Sequence, residues 1–286
     1  MKTINFEKSI LNSAYGLSCI ENYLLYAMIT EKYNYKHLYF NSYLSFYDIS
    51  IEFIENNIEY AFFKRTPRLQ EIAMKNDLII MNYYNSMDFL KNMDAYDYMA
   101  IIVDPAYIKA KYNIEAWRSD HYILISPPNS NDFYYLNDSP RDTGIISLNE
   151  IKKIHAGGYI SFTLKNEISE SLKIEFLNIF LSLISTNPQY FHFDLKDIIQ
   201  ARDILGIIRV LRRRFCEYCG IYISMDFYND FLISLDKFYS SLEYMRIRKS
   251  IDLSKINQTF KEMQEKDIEL TKKCKNKIKE YLSDGI

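Results

Sequence analysis

Glycine and proline are scarce in this chain of 286 residues, at 7 and 6, and tryptophan occurs once. That scarcity argues against collagen-like repeats, Gly/Pro-rich disorder and glycine-rich phosphate loops. No GxSxG, P-loop, HExxH or dinucleotide-binding fingerprint occurs. No stretch approaches the roughly 18 consecutive apolar residues that a membrane helix needs. The opening decapeptide MKTINFEKSI lacks the apolar core of a secretion signal, so export is not expected. Charge of one sign is missing too. Lys and Arg total 35 against 37 Asp and Glu, a net charge of -2, which argues against a protein built to bind nucleic-acid backbones. Four cysteines at irregular spacing make no disulfide framework, and the expectation is a reduced, cytoplasmic protein.

What the chain does have is apolar bulk. Hydrophobic residues make up 48%, with 26 Tyr and 18 Phe, enough for a sizeable core in one large domain or two ordinary ones. The texture changes near residue 165, which divides the chain into an expected domain over 1–165 and a helical region over 166–286. In the first part, Ser18-Cys19-Ile20-Glu21 has the form of a capping box. Ile20, Leu24, Ala27 and Met28 then recur at helical spacing, placing Cys19 in the first turn of a buried helix. Strands are expected at Tyr98 to Val103, Tyr122 to Ser126, Phe133 to Leu136 and Tyr159 to Leu164. Turn chemistry at 127–132 makes an antiparallel hairpin of the second and third, and a second turn is expected at 137–143. The fold class is therefore α+β, a helix packed on a mainly antiparallel sheet. Beyond 165, helices are expected from Asp194 to Phe215 with Asp194 as cap, from Phe227 to Arg248, and from Leu253 to Leu282.

Four histidines are available for chemistry. His37 and His192 sit in Tyr/Phe-rich surroundings and His155 precedes a Gly-Gly turn, so all three read as core or surface residues. His121 differs, because it heads an apolar strand while Asp138 ends the next. A hairpin brings that carboxylate within reach of the imidazole, an arrangement that fixes a tautomer and stabilises the imidazolium. Cys19 supplies a third member. A helix N-terminus offers unpaired amides and a positive dipole end, which lower a thiol pKa and can donate to an oxyanion. Taken singly, Cys19 reads as a small buried hydrophobe rather than a nucleophile. Together the three have the layout of a thiol nucleophile with its base.

The order Cys on an early helix, His opening a strand and Asp closing the next resembles a papain-like fold. More narrowly, the run from Ala100 to Asp138 is similar to the amino-terminal domain family of the butirosin-biosynthesis H acyltransferase. The likeness spans a strand ending at Asp104, a Tyr-bearing loop, His121-Tyr122 before an apolar strand, and a strand closing on Asn137-Asp138. The same order occurs in papain-like peptidases that trim bacteriocin leaders and in the amide-forming enzyme of closthioamide assembly. The resemblance covers about residues 10 to 165 and not the helical part. It implies acyl transfer through a thioester on Cys19, with His121 as base and acid and Asp138 as the orienting carboxylate. The acyl group would arrive on the phosphopantetheine arm of an acyl or peptidyl carrier protein and pass to a small-molecule amine, in specialised-metabolite biosynthesis. No cofactor or metal of its own is implied. Papain-like peptidases place an oxyanion-donating Gln six residues before the Cys; here that position is Ser13, and Asn12 has the amide chemistry one register earlier. Two alternatives stay open: a cysteine peptidase or thioester hydrolase with the same triad, and a non-catalytic binding protein.

Other features read two ways. Arg212-Arg213-Arg214 with Arg246, Arg248 and Lys249 is either a solvated helix face or a docking patch for an acidic carrier protein. The tyrosines fill core, or line a pocket for an aromatic acyl chain. Cys216 and Cys219 form a CxxC pair with no second pair to complete a zinc set, and are expected as solvated or half-buried thiols. Elemental analysis of purified protein should therefore find no stoichiometric zinc. Zinc that disappears on changing Cys216 or Cys219 to Ser would contradict this.

Overall fold

The computed structural model describes residues 3–55, 68–86, 88–113, 121–127, 131–185 and 189–284. Its contacts divide the chain into two compact units, Met1–Tyr35 with Arg68–Ile168, and Lys36–Pro67 with Ser169–Ile286. A single cut near 165 therefore misplaces the described residues 36–55. They group with the later helices because Phe40 stacks on Phe176 at 4.1 Å and the Leu44 carbonyl accepts from Arg212.

The first unit is α+β. Six strands, β1 (Ile79–Tyr84), β2 (Tyr98–Val103), β3 (His121–Ser126), β4 (Asp132–Asp138), β5 (Arg141–Ser147) and β6 (His155–Leu164), form one sheet in the order β1-β6-β2-β3-β4-β5. Every pairing is antiparallel. The β3–β4 hairpin has the expected partners, with Leu124 opposite Leu136; residues 128–130 of its turn lie outside the described residues. The second expected turn is narrower than 137–143. Asn137 pairs with Asp142 and Asp138 with Arg141, so those residues continue the ladder into β5. The Gly157-Gly158 pair is no turn either; it lies inside β6, beside the register shift between Ile101 and Val103. A Cβ on Gly158 would meet Ile102 Cδ1 at 2.6 Å, so the tip of the Ile102 side chain occupies the space that glycine leaves.

Strand alternation gives the sheet two faces. Met99, Ile101, Val103, Ile123, Ile125, Phe133 and Tyr135 share one buried cluster with Ile108 of α4 (Pro105–Tyr112) and with Ile151 and Ile154 of α5 (Leu148–Ile154). The opposite face meets α1 (Cys19–Thr30), whose Leu24, Leu25, Ala27 and Met28 are buried. Tyr98 Oη donates to Glu31 just beyond the end of α1. The short α3 (Leu69–Lys75) also belongs to this unit.

The second unit is helical among the described residues: α2 (Phe46–Ser50), α6 (Glu170–Leu183), α7 (Ile198–Cys219), α8 (Asp226–Arg248) and α9 (Leu253–Asp284). Helix α7 begins four residues later than Asp194 implies, and its cap is Asp197, whose carboxylate accepts from Gln200 N at 2.7 Å. Asp194 instead pairs with Lys196 on the surface. The arginine triplet is not a docking face. Arg212 and Arg214 are buried, and Arg213 shares Asp236 with Arg209. Positions 212 and 214 lie about 200° apart around α7, so each is buried by a different neighbour: Arg212 meets Asp267 of α9, and Arg214 lies over the Tyr39 ring. Cys219 is buried rather than solvated, near Cys274 of α9, whose thiol donates to Met225 Sδ at 4.0 Å, while Cys216 is half-buried. No helix among the described residues is long and apolar enough to cross a membrane.

Arg212 and Asp267 form a buried bidentate pair at 2.6 and 2.7 Å, and Tyr228 Oη donates to the same carboxylate. Removing one member strands the other charge in the core, which costs about 3–5 kcal/mol. Asp267→Ala should therefore lose that much stability in chemical denaturation of the whole chain. Arg212→Met with Asp267→Leu should recover most of it. A single variant no less stable than the double would contradict the assignment.

Candidate active site

Cys19 is the first residue of α1 because Ser18 stops the chain in an extended conformation and caps the helix, its Oγ accepting from Glu21 N at 3.2 Å. The reciprocal half of the expected capping box is displaced. Glu21 is buried, and its carboxylate accepts from Leu17 N at 2.7 Å and from Leu69 N at 2.9 Å, at the start of α3. One side chain thus fixes both the approach to Cys19 and the neighbouring helix terminus.

The turn before Ser18 is set by Gly16, whose N–H donates to Asn22 Oδ1 at 2.9 Å. A Cβ there would lie 2.6 Å from the Asn22 backbone nitrogen, so the approach requires glycine. With its oxygen taken by Gly16, Asn22 aims its Nδ2 at Asp138 Oδ2, 2.8 Å away. Tyr23 Oη donates to the Tyr122 carbonyl at 2.6 Å and lies 3.4 Å from Asp138 Oδ1. Cys19, Asn22 and Tyr23 stand at i, i+3 and i+4, one face of the helix, and this face meets the ends of β3 and β4. Asn22 and Tyr23 escaped the sequence reading, although that spacing from Cys19 was visible.

His121 opens β3 beside Val103 and is buried. Its Nε2 is 2.5 Å from Asn137 Oδ1 and 3.7 Å from Asp138 Oδ1. The Asn137 amide is itself oriented, since its Nδ2 donates to the Pro140 carbonyl at 2.8 Å. Oδ1 therefore faces the imidazole, and Nε2 carries the proton in neutral His121. The hydrogen-bonded orienting residue is thus Asn137, in place of the expected Asp138. Alternation along β4 turns Asn137 to the side of Phe133 and Tyr135, the side that His121 shares with Ile123 and Ile125. Asp138 turns toward α1.

Electrostatics revise a second expectation. Burial pushes the Cys19 thiol up to about 12, and the Asp138 charge pushes the same way. The backbone amides of Tyr122, Ile20 and Cys19 pull it down without overcoming the other two. The resting sulfur is a thiol, contrary to the low pKa expected from the helix terminus alone. Burial also raises the Asp138 carboxyl, against the opposing effects of Asn22 and His121. Asn12 is exposed, and its Oδ1 accepts from Arg141, the residue paired with Asp138 across the β4–β5 turn. The donors gathered at the thiol are backbone amides. The structure therefore joins His121, Asn137 and Asp138 directly, and sets Cys19 against Asp138 and the amide of Tyr122, the residue after His121. Among the described residues no group of three or more His, Cys, Asp or Glu is arranged to hold a metal ion.

A thiol near 12 carries on the order of 10³-fold less thiolate at neutral pH than a free cysteine near 8.5. Iodoacetamide should therefore label Cys19 far more slowly than a model thiol at pH 7, with the rate still rising at pH 10. Asp138→Asn removes the adjacent anion, lowers the thiol pKa and should speed labelling. A rate that levels off below pH 8 would contradict the burial argument.

No protein-family model matches this sequence and no curated protein matches it, so the functional reading rests on the residues and their geometry.

Proposed function

We propose that the chain is a papain-like cysteine acyltransferase that forms an amide from a carrier-protein-bound thioester. The observation that carries this reading is the His121–Asn137 hydrogen bond, which orients the imidazole next in the chain to Tyr122, whose amide faces the thiol. The proposed first step is attack of Cys19 Sγ on the thioester carbonyl while the S–H proton passes to His121 Nδ1. A thiol with so high a pKa must lose its proton during attack, so the base acts in the same step as bond formation. The amides of Cys19 and Ile20 would stabilise the oxyanion. The phosphopantetheine thiol then leaves with the proton held by His121, and the acyl group stays on Cys19. An amine attacks that thioester, its proton goes to His121, and the sulfur departs to regenerate the thiol. A thioester is already activated, which suits a site without the Gln of papain-like peptidases; Ser13 stands at that position.

A second reading is a non-catalytic binding protein on the same scaffold. The raised pKa of the Cys19 thiol favours it.

Incubation with an acyl-carrier thioester should add one acyl mass to the chain, located on Cys19, and an amine should then discharge it as an amide. Cys19→Ala and His121→Ala should abolish the adduct. Asn137→Ala should slow acylation on the order of 10²–10⁴-fold, the usual range for a correctly oriented acid–base group. Discharge by water at the same rate with and without amine would make the protein a hydrolase. Full turnover by Cys19→Ala would end the mechanism.

A further inference from the structure

We propose that Tyr107, Tyr112, Tyr135 and Asp142 form a binding site for the ammonium group of an amine ligand, filled in this structure by the chain's own Lys111. The Lys111 Nζ lies 4.1 Å from the ring centroid of Tyr135, 5.4 Å from that of Tyr112 and 5.5 Å from that of Tyr107. It donates to the hydroxyls of Tyr135 at 2.6 Å and Tyr107 at 3.2 Å, and stands 3.6 Å from Asp142 Oδ2. Three electron-rich rings, two phenol oxygens and a carboxylate thus converge on one cation, the combination that recognises alkylammonium groups.

The surroundings are built around this point. Tyr112 and Tyr135 both donate to Asp142 Oδ2, at 2.8 and 2.7 Å, so the carboxylate fixes two of the rings. Burial alone would push the Asp142 carboxyl up, but the two hydroxyls and Lys111 outweigh it and hold the group below the usual carboxylate range. Gly144, paired with Tyr135, has no Cβ; one placed there would lie 2.9 Å from that ring, so glycine lets the ring lie across β5 toward the cation. The site is open on one side. Lys111 and Asp142 keep 27% and 31% of their side-chain surface in water, a route by which a ligand enters as the lysine swings out.

Lys111 sits in the last turn of α4 on four rotatable bonds, so it is a tethered competitor and not a fixed wall. A competitor that occupies the site 90–99% of the time lowers the apparent affinity of a free amine by about 10–100-fold. The site needs nothing from the thiol chemistry, and its test uses no thioester.

Titration of n-butylammonium into Lys111→Ala, followed by calorimetry or by the tyrosine ring resonances, should give at least tenfold tighter binding than in the native chain. The neutral isostere n-butanol should show no such gain, and Asp142→Asn in the same background should abolish it. In the native chain the same titration should perturb the Tyr107, Tyr112 and Tyr135 rings at higher concentration, a readout that requires no variant. The inference is overturned if Lys111→Ala gains nothing, if butanol matches the ammonium, if binding survives Asp142→Asn, or if the native rings stay unperturbed at saturating amine.

Discussion

The carboxylate of Asp138 ties the first turns of α1 to the open end of the β3–β4 hairpin, and the site geometry depends on it. It is only 7% exposed, and water offers it little. Its partners are the Asn22 amide and the Tyr23 hydroxyl, both on α1, with the His121 imidazole close by. Hydrogen bonds to a charged group contribute about 1.5–3 kcal/mol each, which is enough to set where a helix start sits on a sheet. The same proximity has a chemical consequence. A carboxylate near a thiol opposes its ionisation, so the contact that positions Cys19 also keeps its proton on. In the proposed mechanism the base must therefore act during bond formation, and the orientation of His121 controls that step.

Much of this unit was legible in the residue pattern. Apolar runs bounded by turn residues placed β2, β3 and β4, and Ser18 marked the start of α1, because capping and alternation are local rules. β1 and β5 were missed for physical reasons. Strand β5 reads RDTGIIS, with a charged start and an inner glycine, and pairing with β4 overrides that weak propensity. The choice of Asp138 as orienting residue followed charge and neglected the pleat. Counting by twos from Ile123 to His121 and from Tyr135 to Asn137 puts both polar groups on one face. That alternation was available without a structure. The thiol pKa was not, since it depends on burial and on a charge 119 positions away in the chain, where Asp138 stands.

The second unit shows the opposite balance. Its long helices follow from 3.6-residue periodicity, but the fate of individual polar residues on them does not. Arg212 looked like part of a basic surface because its sequence neighbours are basic, yet it is buried against Asp267, 55 residues on. Cys216 and Cys219 looked like an isolated pair until α9 brought Cys274 to the same place. Burial of a charge is tolerated where a bidentate partner and a phenol satisfy it, and no local rule names that partner. Residues 36–55 teach the same lesson at larger scale, since aromatic stacking of Phe40 on Phe176 ties them to a helix more than a hundred residues away.

The account turns on the protonation pattern of one ring, because Asn137 can present its oxygen to His121 only if Nε2 carries the proton. Nitrogen-15 chemical shifts of His121 at neutral pH read that pattern directly. The account predicts a pyrrole-type Nε2 and a pyridine-type Nδ1 in the native chain, lost in Asn137→Ala and kept in Asp138→Asn. A proton on Nδ1 in the neutral ring, or a tautomer that follows Asp138 and ignores Asn137, would contradict it.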